Sequence, residues 1–141
     1  MDPITARAEQ IQAEESEKLW ARTSESAALY QRAVKHMPMG VGSSFQAWDP
    51  YPVYLREGKG SRVTDVDGND YVDFHNGFGC MVVGHAHPKV AEAIEKAART
   101  GTHFAAPTEA TVLFAEEICR RFQCESVRFA NSGTEATMSA I

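Results

Sequence analysis

The stretch from residue 53 to residue 74 limits the possible folds more than any other part of the sequence. It reads VYLREGKGSRVTDVDGNDYVDF and contains three short runs of alternating apolar and polar residues, at about 53–57, 61–66 and 70–74. Alternation with a period of two is the pattern of a half-buried strand. Gly58-Lys59-Gly60 and Asp67-Gly68 separate the runs, and Asp-Gly is a strong hairpin signal. The sequence therefore predicts a small β-meander.

Two helices are predicted before this meander. Residues 1–22 are polar and rich in Glu, Gln and Ala, which favours a helix with a thin apolar face, and we interpret them as an N-terminal arm. A second helix is expected from Ser24 to about His36, with Ser24 as its N-cap residue. Pro38 and Gly40 are typical of the end of such a helix.

After the meander the period changes to that of helices. One helix is predicted from Pro88 to Arg99 and another over about 108–122, each with apolar residues on one face. A buried strand is expected at 127–130, and a last helix is expected to start at about Thr134. Alternation of strands and helices is typical of an α/β layered domain.

Composition excludes several classes of protein. The chain has 141 residues, a net charge of -5 and a pI near 5.5, whereas binding of nucleic acid requires clustered Lys and Arg. The sequence contains no run of about 18 apolar residues, which is the length that a membrane span needs. The N-terminus lacks the basic start and apolar stretch of a secretory signal, so we expect a cytoplasmic protein.

Two clusters resemble ligand sets, but we interpret both as structural. His85 and His87 lie on a turn before Pro88, with no Cys or carboxylate at the spacing of a metal site. The second cluster consists of four aspartates in the meander: Asp65, Asp67, Asp70 and Asp73. Their alternation indicates turn chemistry and solvent-facing positions. We therefore expect no metal site.

The residues before the last helix are typical of an anion site. Gly133 allows a ligand to approach the backbone closely and tolerates a positive φ, while Ser132 and Thr134 add hydroxyl groups. The start of a helix offers unpaired N–H groups and a partial positive charge, and phosphate is its usual guest. The same letters also fit an ordinary N-cap turn with Glu135 as a first-turn acid, so both interpretations stand.

Four stretches of the sequence, in the right order, resemble one family. FANSGTEATMSAI at the end of the chain resembles the cofactor-phosphate loop of the class III pyridoxal-phosphate-dependent aminotransferases. VTDVDGNDYVDFHNGFGCMVVGHAHPKVAEAI is similar to that family's N-terminal hairpin and the helix after it. PMGVGSSFQAW and GTHFAAPTEATVLFAEEI resemble the glutamate-1-semialdehyde aminomutase-like branch. The resemblance covers about residues 24–141.

The resemblance implies an α/β fold of the fold-type I class of pyridoxal-phosphate-dependent transferases. In it, residues 1–22 form the N-terminal arm and residues 23–87 form the N-terminal segment of the small domain, with the meander. Residues 88–141 form the start of the large cofactor-binding domain and its α/β sheet. It also implies a homodimer, in which each active site is completed by the neighbouring subunit, and small-molecule substrates.

The resemblance also assigns roles to five residues. Ser132, Gly133 and Thr134 match the residues that hold the phosphate of pyridoxal 5'-phosphate. Phe78 lies where the aminomutases have an aromatic residue near the substrate. Gln46 stands where they usually have an Arg that holds the substrate carboxylate. Either the substrate differs, or an Arg further along the chain holds the carboxylate.

The catalytic lysine of the family lies far downstream of the phosphate loop, as does the aspartate that pairs with the pyridine nitrogen. All lysines of this chain precede the loop and match no family motif: Lys18, Lys35, Lys59, Lys89 and Lys96. The resemblance therefore implies the N-terminal portion of a longer aminotransferase, with no catalytic residue of its own and no activity alone. A glutamate-1-semialdehyde 2,1-aminomutase, or a truncated module that binds only the cofactor phosphate or a subunit, remains the alternative.

Overall fold

The structure is a computed structural model, and it describes residues 2–141. The helices are α1 (Pro3–Ala21), α2 (Ser24–Ala33), α3 (Pro88–Thr100), α4 (Glu109–Phe122) and α5 (Gly133–Ala140). The strands are β1 (Leu55–Lys59), β2 (Arg62–Asp65) and β3 (Asp70–Val72), and two short 3-10 helices lie at Pro38–Gly40 and Ser44–Gln46. By its internal contacts the chain divides into a first unit that ends at Ala93 and a second unit, Ile94–Ile141.

The N-terminal arm is a helix, as its composition predicts. Pro3 lies in the first turn of α1, where its fixed φ suits a helix and its lack of an N–H costs nothing. No residue of α1 is buried. Its described side-chain hydrogen bonds are local ones, such as Lys18 Nζ to Glu15 Oε1 at 2.6 Å. Within residues 2–141 no helix combines the length and the apolar character needed to cross a membrane.

The start of α2 corrects one sequence prediction. Ser24 is the first helical residue and not the N-cap, a position taken by Thr23, whose side chain makes no capping bond. The carboxylate of Asp67, in the turn between β2 and β3, accepts instead from the backbone N–H of Glu25 at 2.6 Å and of Ser26 at 3.1 Å. A charged acceptor from a distant turn replaces the local cap because two first-turn N–H groups can share it.

The predicted meander is present as an antiparallel sheet in the order β1-β2-β3. Its first strand runs further than expected, because Gly58 and Lys59, predicted to separate two runs, lie in β1. Gly58 pairs with Val63, and the ring of His85 lies against it. A Cβ at residue 58 would come within 2.7 Å of the His85 ring, so packing requires this glycine.

The interior of the first unit contains as many polar as apolar side chains. Val41, Pro52 and Val63 are its buried apolar side chains, while Thr23, Ser26 and Asp65 are fully buried. The carboxylate of Asp65 accepts from the backbone N–H of Asn69 at 2.7 Å, from its Nδ2 at 2.9 Å and from the hydroxyl of Tyr71 at 2.8 Å. The prediction that the meander aspartates face solvent is therefore wrong for Asp65, whose charge needs these three donors.

Burial and these hydrogen bonds shift the pKa values of Asp65 and Tyr71. Burial alone would raise the pKa of Asp65, but the Asn69 N–H groups and the Tyr71 hydroxyl together hold that pKa below its usual range. Burial, followed by the hydrogen bond to Asp65, raises the pKa of Tyr71 to about 12. The pair is therefore a carboxylate and a neutral phenol over the physiological range.

The predicted helices α3, α4 and α5 are present, but the predicted strand between α4 and α5 is not. Thr108 is the N-cap of α4, and its Oγ1 accepts from the N–H of Thr111 at 3.3 Å. Residues 127–130 form no strand, and Phe129 is 40% exposed. The reason is that no strand in residues 94–141, all of which are described, offers them a hydrogen-bonding partner. The Phe129 ring stacks instead on Phe114, with ring centroids 5.2 Å apart.

Candidate functional site

The residues of the predicted anion site lie at the start of α5. Ser132 is its N-cap, and Ser132 Oγ accepts from the N–H of Glu135 at 3.2 Å. Gly133 and Thr134 are the first two helical residues. In the described part of the chain their backbone N–H groups donate to no protein acceptor, and neither does the Thr134 hydroxyl. Three donors therefore remain free at the positive end of the helix.

Glu135 is the acidic residue closest in sequence to these donors. Its Oε2 accepts from the N–H of Asn131 at 2.7 Å, so the carboxylate is turned back along the chain. Together with Ser132 it forms a reciprocal arrangement like a capping box, with the carboxylate bonded one residue earlier than usual. The acid is thus bonded to backbone ahead of the helix, and the first two N–H groups stay unpaired.

The space beside Gly133 fits a phosphate group. A Cβ built on Gly133 meets no atom within 4 Å. Gly133 is not among the residues with a positive φ, so the expected conformational reason for a glycine does not apply. The remaining reason is close approach, since the open space lies next to two unpaired N–H groups. The residues present at this helix start therefore suit the phosphate of the implied cofactor.

Gln46 lies at the end of the second 3-10 helix, Ser44–Gln46, in the first unit. Its Oε1 accepts from the N–H of Ser43 at 3.3 Å and completes a capping box with that serine. The side-chain carbonyl is thus engaged in the loop. Among the described residues the Nε2 group of Gln46 has no acceptor, so an uncharged N–H donor is what this position offers to a substrate.

Phe78 lies in a left-handed turn, which sequence reasoning did not predict. Asn76, Gly77, Phe78 and Gly79 have φ values of 51°, 57°, 59° and 86°. The N–H of Phe78 donates to the carbonyl of His75 at 3.0 Å, and the N–H of Gly79 to that of Asn76 at 2.9 Å. A left-handed conformation is uncommon for a bulky residue such as phenylalanine.

Two further rings contact Phe78, and neither was predicted as a site residue. The ring centroid of Phe45, next to Gln46 in sequence, lies 4.9 Å from that of Phe78. The ring of His75 lies 4.2 Å from Phe78. Through Phe45, the 3-10 helix that carries Gln46 contacts the turn that carries Phe78. The sequence signal for this contact is Phe45, the aromatic residue beside Gln46 in the loop SSFQAW.

Asp73 and His85 hold this turn at both ends. Asp73 Oδ1 accepts from the N–H groups of His75 and Asn76, both at 2.9 Å, and Asp73 Oδ2 lies 2.7 Å from His85 Nε2. The contact with His85, followed by the N–H of Asn76, holds the pKa of Asp73 below its usual range. The backbone of His85 exchanges two hydrogen bonds of 2.8 Å with Gly60. His85 therefore supports the turn that carries Phe78, a role that the sequence did not predict.

Metal ligation has no candidate in the described residues, 2–141, where no three His, Cys, Asp or Glu side chains are grouped closely enough. The sequence-predicted residues fall into two sets. Gln46 and Phe78 belong to the first unit, whereas Ser132, Gly133 and Thr134 belong to the second. The five lysines lie outside both sets and before the phosphate loop, as the sequence shows.

Comparison with known proteins gives a family and several relatives. A family model described as Aminotransferase class-III matches residues 44–141. The chain is 42% identical to the glutamate-1-semialdehyde 2,1-aminomutase of Methanosphaera stadtmanae over 121 residues, which is 85% of this chain and 29% of that protein. It is 48% identical to the enzyme of that name from Chloroherpeton thalassium, with 82% of this chain and 28% of the relative covered.

Comparison with solved structures also gives a transaminase. A structure described as a transaminase with PLP bound superposes with a TM-score of 0.81 at 50% identity, and the match covers 84% of this chain and 28% of that one. The expected fold, the N-terminal part of a fold-type I transaminase, is therefore confirmed. The chain spans less than a third of the length of the relatives that it matches.

Proposed function

Because the chain belongs to the class III aminotransferase family, we propose that the full-length protein moves an amino group between a donor and an acceptor with pyridoxal 5'-phosphate as its cofactor. The donor is an amine or amino acid, and the acceptor is a keto or aldehyde compound. The cofactor supplies the electron sink that this chemistry needs. In the proposal this chain contributes the phosphate site and part of the substrate site.

The observation that carries the proposal is the open start of α5 inside the region that the family model matches. The unpaired N–H groups of Gly133 and Thr134, with the Thr134 hydroxyl, are the donors proposed for the phosphate. Ser132 Oγ accepts from Glu135 and can still donate its own proton to a phosphate oxygen. These donors bind and orient the cofactor, while the chemical steps belong to residues that this chain does not contain.

We propose a transaminase and not an aminomutase, because of Gln46. A guanidinium offers a carboxylate a charged, bidentate pair of donors, whereas the Nε2 group of Gln46 is neutral. A hydrogen bond from Nε2 to a carboxylate is still charge-assisted, but Gln46 supplies neither a positive charge nor the rigid fork of a guanidinium. With its carbonyl engaged at Ser43, Gln46 is a weak partner for a carboxylate substrate.

Glutamate-1-semialdehyde 2,1-aminomutase is the second candidate, favoured by the relatives of that name at 42% and 48% identity. A third reading is a truncated module that binds phosphate or a subunit without chemistry. The two enzymes differ in whether the substrate presents a carboxylate at Gln46. The module differs from both in having no turnover.

The deciding assay compares the purified full-length protein on glutamate-1-semialdehyde with a panel of amine donors and keto acids. We expect turnover on the panel and little formation of 5-aminolevulinate. Efficient 5-aminolevulinate formation with weak activity on the panel would refute the transaminase and establish the second candidate. Cofactor binding without turnover on any substrate would leave only the non-catalytic module.

The proposal has four further parts, which concern activity, domains, location and oligomeric state. We expect residues 1–141 alone, freed of host enzymes, to show no transaminase turnover, because the family's catalytic lysine has no match here. The proposed domains are the arm at 1–22, the small-domain segment at 23–87 and the start of the cofactor domain at 88–141. The proposed location is the cytoplasm.

The last of the four is a homodimer. A helix of 19 residues with no buried side chain gains little from its own unit, and exposed Ile4, Ile11 and Trp20 give α1 apolar surface for a partner subunit. Sedimentation of the full-length protein tests this directly. A monomer at micromolar concentration would contradict it.

A further inference from the structure

Two of the three cysteines lie together at the end of α4. Cys119 is in the last turn of the helix, and Cys124 is the second residue after the helix ends. The two thiols are close enough to each other for a hydrogen bond. Cys80, the third cysteine, belongs to the first unit, and all three are free thiols. We call Cys119 and Cys124 the thiol pair.

The backbone brings this pair together through a single residue. Residues five apart do not share a face of a continuous helix, so the helix alone would separate the two thiols. Gln123, which follows α4, has φ 53° and ψ 40°, and this left-handed conformation turns the chain back towards the helix. At such helix ends the second residue after the helix commonly packs against the last turn. Both of those positions are cysteine here, so local backbone geometry sets the contact.

The two thiols differ in exposure. Cys124 is exposed, whereas Cys119 is partly buried. Burial, followed by the hydrogen bond with Cys124, raises the pKa of Cys119, so this thiol stays protonated at neutral pH. An oxidant in solution therefore reaches Cys124 first, and Cys119 lies beside it as the thiol that can react with the oxidised sulfur.

We propose that the thiol pair is a site of reversible oxidation, at which a peroxide joins Cys119 and Cys124 in a disulfide. Hydrogen peroxide oxidises the Cys124 thiolate to a sulfenic acid and is itself reduced, leaving hydroxide. The Cys119 thiol then attacks the sulfenic sulfur, the S–S bond forms, and the oxygen leaves as water. Two molecules of a small thiol reverse the step, because they are oxidised to their own disulfide and return both cysteines to thiols. In a reducing compartment such a transient disulfide is of the redox-sensing kind.

The test exposes the full-length protein to hydrogen peroxide, alkylates the remaining thiols and maps tryptic peptides without reduction. Arg120 and Arg121 lie between the two cysteines, so trypsin leaves peptides 100–120 and 122–128, which only a disulfide holds together. We expect the joined peptides after peroxide treatment and their separation by dithiothreitol. Cys80 is the internal control, since it is exposed and lies in a separate tryptic peptide, 63–89, which should stay unjoined.

Three variants separate the placement of the pair from oxidation as such. Cys119→Ser should abolish the joined peptides and leave a sulfenic acid at Cys124, which dimedone labels. Gln123→Gly keeps the left-handed turn, whereas Gln123→Ile resists it, because a β-branched residue is strained at a positive φ. The joined peptides should therefore form as fast as in the wild type in Gln123→Gly, and at least about threefold more slowly in Gln123→Ile.

Three outcomes would overturn the inference. The first is absence of the joined peptides at a peroxide exposure that oxidises Cys80. The second is a disulfide from Cys124 to Cys80, or to any other cysteine, in place of Cys119. The third is an equal rate in Gln123→Gly and Gln123→Ile, which would show that the fold does not position the pair. None of these measurements depends on turnover, so the proposed transaminase is tested separately.

Discussion

The first turns of α2 and α5 both have backbone N–H groups without a partner inside the helix. Those of α2 are bonded by another part of the chain, whereas those of α5 are not. At α2 the carboxylate of Asp67 takes the N–H groups of Glu25 and Ser26. At α5 the N–H groups of Gly133 and Thr134 have no acceptor among the described residues, and beside them lies open space. One helix start is closed by the protein's own anion, and the other is open.

The difference shows what distinguishes a structural cap from a candidate site. Asp67 also accepts from the hydroxyl of fully buried Ser26 at 2.9 Å, and this Oγ in turn accepts from the N–H of Tyr54 at 3.2 Å. The closed start thus joins α2 to the meander. At the open start, the carboxylate of Glu135 bonds backwards to Asn131. We infer that the open start is kept for an external anion.

The largest expected effect is the loss of the closed cap. Asp67→Ala removes a charged acceptor from two N–H groups and from buried Ser26, which should lower the free energy of unfolding by about 2–3 kcal/mol. Urea unfolding of the full-length protein measures this. Asp70→Ala is the matched control, since this exposed aspartate bonds only side chains of the sheet, Thr64 and Arg62, and should cost less. Equal losses in the two variants would show that Asp67 is not a cap.

The next effect concerns the open start. Gly133→Asp places a side chain and a negative charge where the phosphate is proposed to bind, so affinity for pyridoxal phosphate should fall at least about tenfold, or about 1.4 kcal/mol. Titration of the apo full-length protein with cofactor gives the value. Ser139→Asp adds the same charge in the last turn of α5 and should change affinity far less. Unchanged affinity in the Gly133 variant would reduce the loop to a helix cap.

A comparable effect is expected at Asp65, the last residue of β2. Asp65→Asn keeps the shape of the side chain but removes its charge, and should cost about 1–2 kcal/mol at pH 7. Because the folded pKa of Asp65 is lowered, its contribution is complete above the unfolded pKa of about 3.9 and decreases as pH falls through the folded value. The stability gap between variant and wild type should therefore narrow below about pH 4. A gap that is constant with pH in thermal melts would contradict the assigned shift.

The smallest effect separates stability from binding at one atom. Gly133→Ala adds a Cβ to a helical residue in open space, which should stabilise the apo protein by about 0.5 kcal/mol through the unfolded chain. The same methyl group narrows the approach to the N–H groups, and cofactor affinity should fall by about threefold, or roughly 0.7 kcal/mol. Opposite signs in the apo melting temperature and the cofactor titration support the comparison. A decrease in both the apo melting temperature and the cofactor affinity would indicate that residue 133 has a folding role only.

Local patterns predicted most elements of this fold. Alternation and Asp67-Gly68 predicted the meander, and helical spacing predicted α3 and α4 to within about a residue at each end. The errors share a cause, which is dependence on a distant partner. Ser24 was expected to cap α2 because its letter suits that position, but the acceptor comes from Asp67, more than 40 residues away. Residues 127–130 have the letters of a strand but no strand beside them in the second unit.

The helix start at the candidate site was predictable to the same degree. The letters Ser132-Gly133-Thr134 indicate a helix start open to an anion, and the structure has that helix start. Phe45 and His75 were missed because only the left-handed turn brings them to Phe78, and four successive positive φ values have no clear sequence signal beyond two glycines. The pairing of Asp73 with His85 was missed for a similar reason, since it joins residues 12 apart across the turn.

The long-range cap also has a consequence for how the chain is made. α2 has ten residues, too few for a stable helix in isolation, and its acceptor follows 42 residues after Glu25. At a synthesis rate of about 5–20 residues per second, Asp67 is added roughly 2–8 s later. During that interval the nascent segment 24–33 has no acceptor at its first turn. The helix and the hairpin are therefore expected to form together on the ribosome, in one cooperative step that waits for the later of the two.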